Sequence, residues 1–182
     1  MMTVDGHVAT IRLLGVENAQ EYLNSHKDDK LAMKAYLKLF PLQDITDEID
    51  GQLNIFPQKV WVECNCRMIE SVLRILPGKI ADEIKELLTK ARKGVTPEEI
   101  EQNVKFSDKI DLRLTGNSHR GRCITRAVNH LFYDIGDDNR KKGMFVQMDT
   151  RSAMSDNLVF RDKQFELNKK IIAEVISEYL EE

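Results

Sequence analysis

Apolar positions recur at intervals of three and four along most of the chain, the spacing that lines one face of an α-helix. Leu31, Ala32, Ala35, Tyr36, Leu39 and Phe40 keep that period until Pro41 stops it. A shorter periodic segment covers 16–25, and a further turn or two is expected within 44–53. Trp61, Val62, Met68, Ile69, Val72, Leu73 and Leu76 form the broadest apolar face, which Pro77 and Gly78 end. Ile80, Ile84, Leu87, Leu88 and Ala91 line the next helix, which carries Lys90, Arg92 and Lys93 in its last turn before Gly94. Thr96, Pro97, Glu98 and Glu99 then read as a cap, a proline at the first helical position and acids in the first turn. Cys123, Ile124, Ala127, Val128, Leu131, Phe132 and Ile135 make another buried stripe, and Ile171, Ile172, Val175, Ile176, Tyr179 and Leu180 a last one within 163–180.

Elsewhere the period shortens. Residues 7–14 fit a strand or the opening of a helix. The alternation of I-D-L-R-L at 110–114 predicts a short strand, and M-F-V-Q-M at 144–148 with L-V-F at 158–160 predicts two more, joined by a polar loop. The expected fold is therefore α+β and mainly α: one domain over 1–182, with a helical core and a small antiparallel hairpin near 144–160.

Composition narrows the function classes. The 182 residues are 42% hydrophobic and 31% charged, with a formal charge of −3. That balance excludes a protein that coats nucleic acid by bulk positive charge, so any such binding must be local. The three cysteines, Cys64, Cys66 and Cys123, form no disulfide framework, and C-x-C has no second ligand pair for zinc. The opening M-M-T-V-D-G-H is not a signal peptide and no apolar run reaches membrane-spanning length. A reduced cytoplasmic protein without cofactor or metal is expected.

Against that background one stretch departs from rule. T-G-N-S-H-R-G-R-C-I-T-R at 115–126 opens a helix with His119, Arg120, Arg122 and Arg126, and no Asp or Glu occurs between Leu112 and Tyr133. Helix starts normally collect acids, because their free N–H groups carry partial positive charge. A phosphate docked there would reverse the cost: Asn117 or Ser118 caps the helix, Gly116 allows close backbone approach, and arginine forks grip oxygens. Arg122, Arg126, Asn129 and Tyr133 form one exposed row at helical spacing, and Arg140, Lys141 and Lys142 extend the surface if their loop folds back. The competing explanation is that these arginines cover apolar neighbours and pair with acids from elsewhere, such as Glu166 or Glu174.

The chemistry available to the stretch is limited. His119 is the candidate general acid or base for a metal-independent phosphodiesterase or ribonuclease, with Arg120, Arg122 and Arg126 holding the phosphate. His130 lies too far along the helix to share that phosphate, about 16 Å, so a second group such as His7, Tyr133 or Asp134 is needed. His119 with Cys123, or Asp134 with Asp137 and Asp138, could also serve a metal, although Gly136 makes the acids a polar helix exit. No nucleotide-binding or hydrolase motif is present. The sequence thus points to a small regulatory or inhibitory protein that binds RNA or a ribonucleoprotein, of the kind phages and mobile elements carry. The alternatives are the nuclease and an immunity or adaptor module that meets an acidic protein surface.

Overall fold

A computed structural model gives the fold and describes residues 2–26, 28–40, 53, 56–114, 119–138, 140–154 and 157–181. Every regular element among them is helical. In chain order these are α1 (Val4–Leu14), α2 (Val16–Asn24), α3 (Lys30–Leu39), α4 (Gln58–Val72), α5 (Gly78–Lys93), α6 (Pro97–Arg113), α7 (His119–Gly136), α8 (Met144–Met154) and α9 (Leu158–Glu181). A short 3-10 turn, Leu73–Ile75, carries α4 toward Pro77. The segment 44–53, where a further turn or two was expected, lies outside the described residues except at Leu53.

Local chemistry sets several boundaries. The Thr3 hydroxyl accepts from the Gly6 N–H at the start of α1, and the Asp29 carboxylate accepts from Leu31 and Ala32 at the start of α3. Thr96 and Glu99 cap α6 reciprocally, each side chain accepting the other's backbone N–H. Such caps satisfy amide groups that the first turn leaves without intrahelical partners.

The core is organised around α4, whose buried positions (Val60, Trp61, Val62, Cys64, Cys66, Met68, Ile69 and Val72) run round most of its circumference. A helix apolar on so many sides must be surrounded, and α5, α7, α8 and α9 pack against it. From α7 the stripe Cys123, Ile124, Ala127, Val128, Leu131 and Phe132 is fully buried. Burial pushes the Cys64 and Cys66 thiols up to about 12, so both stay protonated and pack as small apolar groups. No helix of the described residues is long and apolar enough to cross a membrane.

The antiparallel hairpin near 144–160 does not exist: its two halves are α8 and the first turn of α9. The alternation at 144–148 misled because α8 buries Val146, Gln147, Asp149, Thr150 and Ala153, a helical set that is mostly polar. The pattern of apolar residues alone could not reveal it. Leu158, Val159 and Phe160 face outward at the start of α9 rather than forming a buried strand. Residues 110–114 likewise continue α6 and its cap, and 7–14 belong to α1. The fold is all-helical over the described residues, not α+β.

One ion network joins three of these helices. Glu63 on α4 accepts from Arg67 Nε at 2.8 Å and from Arg92 Nε at 2.7 Å, while Arg67 reaches Glu178 on α9 and Arg92 reaches Glu70. Burial raises the Glu63 pKa, but hydrogen bonds from Arg92 and Arg67 outweigh it and leave the carboxyl below its ordinary value. A depressed folded-state pKa stabilises the fold above the unfolded value, and the contribution is lost as pH falls through the folded one. Glu63→Gln is expected to cost about 1–2 kcal/mol near neutral pH. Denaturant titrations of both proteins should show that gap closing below about pH 4; a gap independent of pH would mean that the charge of Glu63 contributes nothing.

Candidate functional site

The cation-rich opening of α7 has a partner that the sequence did not expose. Helices α7 and α8 run antiparallel: Arg120 meets Ala153, Arg126 meets Asp149, and His130 meets Phe145. The start of α7 therefore lies beside the end of α8. Arg120 Nε donates to the Ala153 carbonyl at 2.7 Å, within the last turn of α8. A cation at that negative end is favourable by about 0.3–1 kcal/mol. Within α7 the charge opposes the helix dipole; in the packed pair it complements the neighbour's.

Arg126 divides its role. One nitrogen bonds Asp149 Oδ1 at 2.5 Å, yet the side chain is 56% exposed while that of Asp149 is 8% exposed. The second oxygen of Asp149 accepts no hydrogen bond among the described residues and lies 3.7 Å from His130 Nε2. Burial holds His130 below the usual imidazole range; Asp149 pulls it up and Arg140 pushes it down. The ring is thus neutral near pH 7. Its Nδ1, within 3.0 Å of an Arg140 nitrogen, accepts from that group, which leaves the ring proton on Nε2, toward Asp149.

The loop after α7 does fold back. Arg140 Nε donates to Asp134 Oδ1 at 3.0 Å, and its guanidinium lies 5.6 Å from the Tyr133 ring centre and 5.4 Å from that of Phe145. His130 stacks on Phe145 at 4.8 Å with 23° between planes. Asp134, fully buried, also accepts the Gly143 N–H at 2.9 Å. Lys142 turns inward instead: its ammonium donates to the carbonyls of Asp134 and Asp137 and lies 5.2 Å from the Trp61 ring centre. It caps α7 from inside, and burial lowers its pKa despite the neighbouring Asp134.

Several residues singled out in the sequence thus converge on one surface. Arg122, Arg126 and Tyr133 are exposed along α7 with Asn129 half-buried between them, and Arg140 joins them. Lys141 is exposed, and neither it nor Arg122 has an ion pair among the described residues. Arg120 and Lys142 are engaged within the fold. Asn117 and Ser118, with Gly116, lie outside the described residues. Glu166 and Glu174 pair with Lys169 and Lys170 on their own helix; the acid that meets an α7 arginine is instead Asp149 of α8, beside Arg126, while Asp134 of α7 takes Arg140 from the loop.

Around His119, the candidate general acid or base, no proton-transfer partner assembles among the described residues. His119 is exposed, and among the described residues its only hydrogen-bond partner is the Cys123 sulfur, 3.6 Å away; no hydrogen bond or ion pair there joins it to a carboxylate or another imidazole. His7 is buried on α1, bonded to Tyr22 at 2.7 Å, and α1 packs on α2 and α3. Among the described residues no cluster of His, Cys, Asp or Glu could hold a metal ion.

Sequence reasoning missed Phe145, which lies in the segment 144–148 expected to be a strand, and Asp149, which lies in the polar loop expected to follow it. A helical wheel over 144–154 places Phe145, Met148, Asp149 and Ser152 on one face, the signal that could have found them. Comparison with protein families, with curated proteins and with solved structures finds no match to this chain.

Proposed function

We propose that this chain is a nucleic-acid-binding protein of the regulatory kind, with RNA as its ligand class, and that the exposed row Arg122, Arg126 and Tyr133 with Arg140 and Lys141 forms the interface. The observation that carries the reading is the pairing of cations with exposed aromatic rings on one outward strip, where Arg140 spans Tyr133 and Phe145. Arginine serves phosphate through its planar fork and stacks on flat rings, whereas lysine supplies a point charge. The strip also disfavours a DNA operator. Asn129 and Thr125 bond Asp108 and Asp111 of α6 on one side, and Arg126 bonds Asp149 of α8 on the other. With helices on both flanks, α7 cannot enter a major groove as a recognition helix does.

The test is the affinity for a labelled RNA that carries both a hairpin and a single-stranded tail. If four cations each neutralise a phosphate, log K should fall with log salt at a slope of roughly −3. Arg122→Glu should weaken binding about 10-fold, and Arg126→Gln should flatten the slope by about 0.7. Glutamine is the better choice at 126, since a glutamate would face Asp149. Binding that salt does not affect, or no binding at all, would refute the proposal.

A second reading has its own support: Phe145 and Met148 add exposed apolar area beside Arg126, which Asp149 already neutralises in part. A protein surface of mixed apolar and acidic character suits that composition, and salt-insensitive capture of a purified ribonucleoprotein would favour it.

A further inference from the structure

We infer that the RNA meets this surface as an unpaired strand, with one base stacked on the platform made by Tyr133 and Arg140 and its phosphates laid along Arg126 and Arg122; this rests on the proposed function. Tyr133 is 43% exposed and stands edge-on to His130, with ring planes 64° apart. Its neighbour Arg140 is held from several sides, by Asp134, His130 and two rings. That immobilisation matters because a ligand need not freeze the guanidinium on arrival. A flat cation beside a flat ring, both fixed before binding, is a surface on which any base can stack.

Geometry separates the two forms of RNA. Bases inside a duplex present only their edges, and the major groove of A-form RNA is too deep and narrow for side chains to read. No base inside a duplex could therefore lie face to face with Tyr133. Along α7, Tyr133 and Arg126 are about 10 Å apart and Tyr133 and Arg122 about 16 Å apart. A strand that covers the row thus spans a few nucleotides, near the lower end for single-strand sites of roughly 4–16.

The experiment measures fluorescence anisotropy with a mixed-sequence RNA of about 12 nucleotides, first free and then annealed to its complement. Annealing should weaken binding at least about 10-fold. Tyr133→Ala should weaken binding of the free strand by roughly 10-fold and leave residual duplex binding unchanged, whereas Tyr133→Phe should keep wild-type affinity. Because Tyr133 is exposed, thermal melts should show all three proteins folded. If Tyr133→Ala binds the free strand like wild type while Arg122→Glu still weakens both RNA forms, base stacking is wrong and the phosphate-binding reading survives. Should neither RNA form bind wild-type protein, the proposed function itself falls.

Discussion

Asp134→Ala is expected to lower stability by about 3 kcal/mol, with a fall in Tm of roughly 6–12 °C for a chain of this size. Asp134 is 0% exposed, and its two oxygens divide the work: one accepts from Arg140 Nε, the other from the Gly143 N–H. Removing the carboxylate leaves a buried backbone donor and a partly buried guanidinium without their acceptor, the costly direction of any hydrogen-bond deletion. Lys142 compounds the effect, since its ammonium sits beside the Asp134 backbone and Asp134 supports its charge against burial. Asp134→Asn should cost less, about 1–2 kcal/mol, because an amide oxygen still accepts while the charge is lost. Chemical denaturation of the three proteins measures this directly. If alanine costs under about 1 kcal/mol, the carboxylate does not hold the connection between α7 and α8. Under the proposed function the same substitution also releases Arg140, so RNA affinity should fall even at temperatures where the variant is fully folded.

Much of the helical framework was legible from the residues, for identifiable reasons. Each of α3, α4, α5 and α7 buries an apolar stripe at the spacing that periodicity detects. The start of α6 was legible for another reason: Thr96 and Glu99 cap by local bonds that need no tertiary context. The failure at α8 comes from the opposite circumstance. Its inner face includes Gln147, Asp149 and Thr150, and Thr150 joins a polar contact with Asn168 at 3.0 Å rather than an apolar one. A method that equates burial with hydrophobicity cannot see such a helix. The first turn of α9 fails in mirror image, with Leu158, Val159 and Phe160 apolar but exposed.

The same limit governed the candidate site. The row on α7 was legible, because exposure follows from position on the wheel. Which cations are already satisfied was not, because their partners are tertiary. Arg120 answers to the end of α8, Arg126 to Asp149 and Arg140 to Asp134. The charge pattern that called for an external anion is met in part from inside, which moves the proposed interface from the helix start to the Arg122–Tyr133 strip. The aromatic half of that strip became visible only when α8 placed Phe145 beside His130.

Gly143→Ala should be as damaging as the loss of Asp134, about 3 kcal/mol, by a steric route. Gly143 has φ 81°, a conformation that L side chains rarely adopt, and it stands just before α8. Its N–H is committed to Asp134 and its carbonyl accepts from Gln147, so the backbone has little freedom to relax. A Cβ built there would lie 2.7 Å from Leu53 Cδ1 and 2.8 Å from Asn65 Oδ1. Leucine can shift, but Asn65 is fully buried on the central helix α4. Gly136→Ala is the internal control: that Cβ would meet only Ile100, at 3.3 Å, and φ there is not positive. Alanine for glycine within a helix favours the folded state by up to about 1 kcal/mol, so this variant should be nearly neutral or slightly more stable. A double-mutant cycle isolates the steric part. Asn65→Ala removes the clashing oxygen, and neither amide atom of Asn65 has a hydrogen-bond partner among the described residues, so little bonding is lost with it. If the clash contributes, Gly143→Ala with Asn65→Ala should be less destabilised than the sum of the single changes, by about 1 kcal/mol. Strict additivity would clear Asn65 and assign the cost to backbone strain at positive φ together with the Leu53 contact.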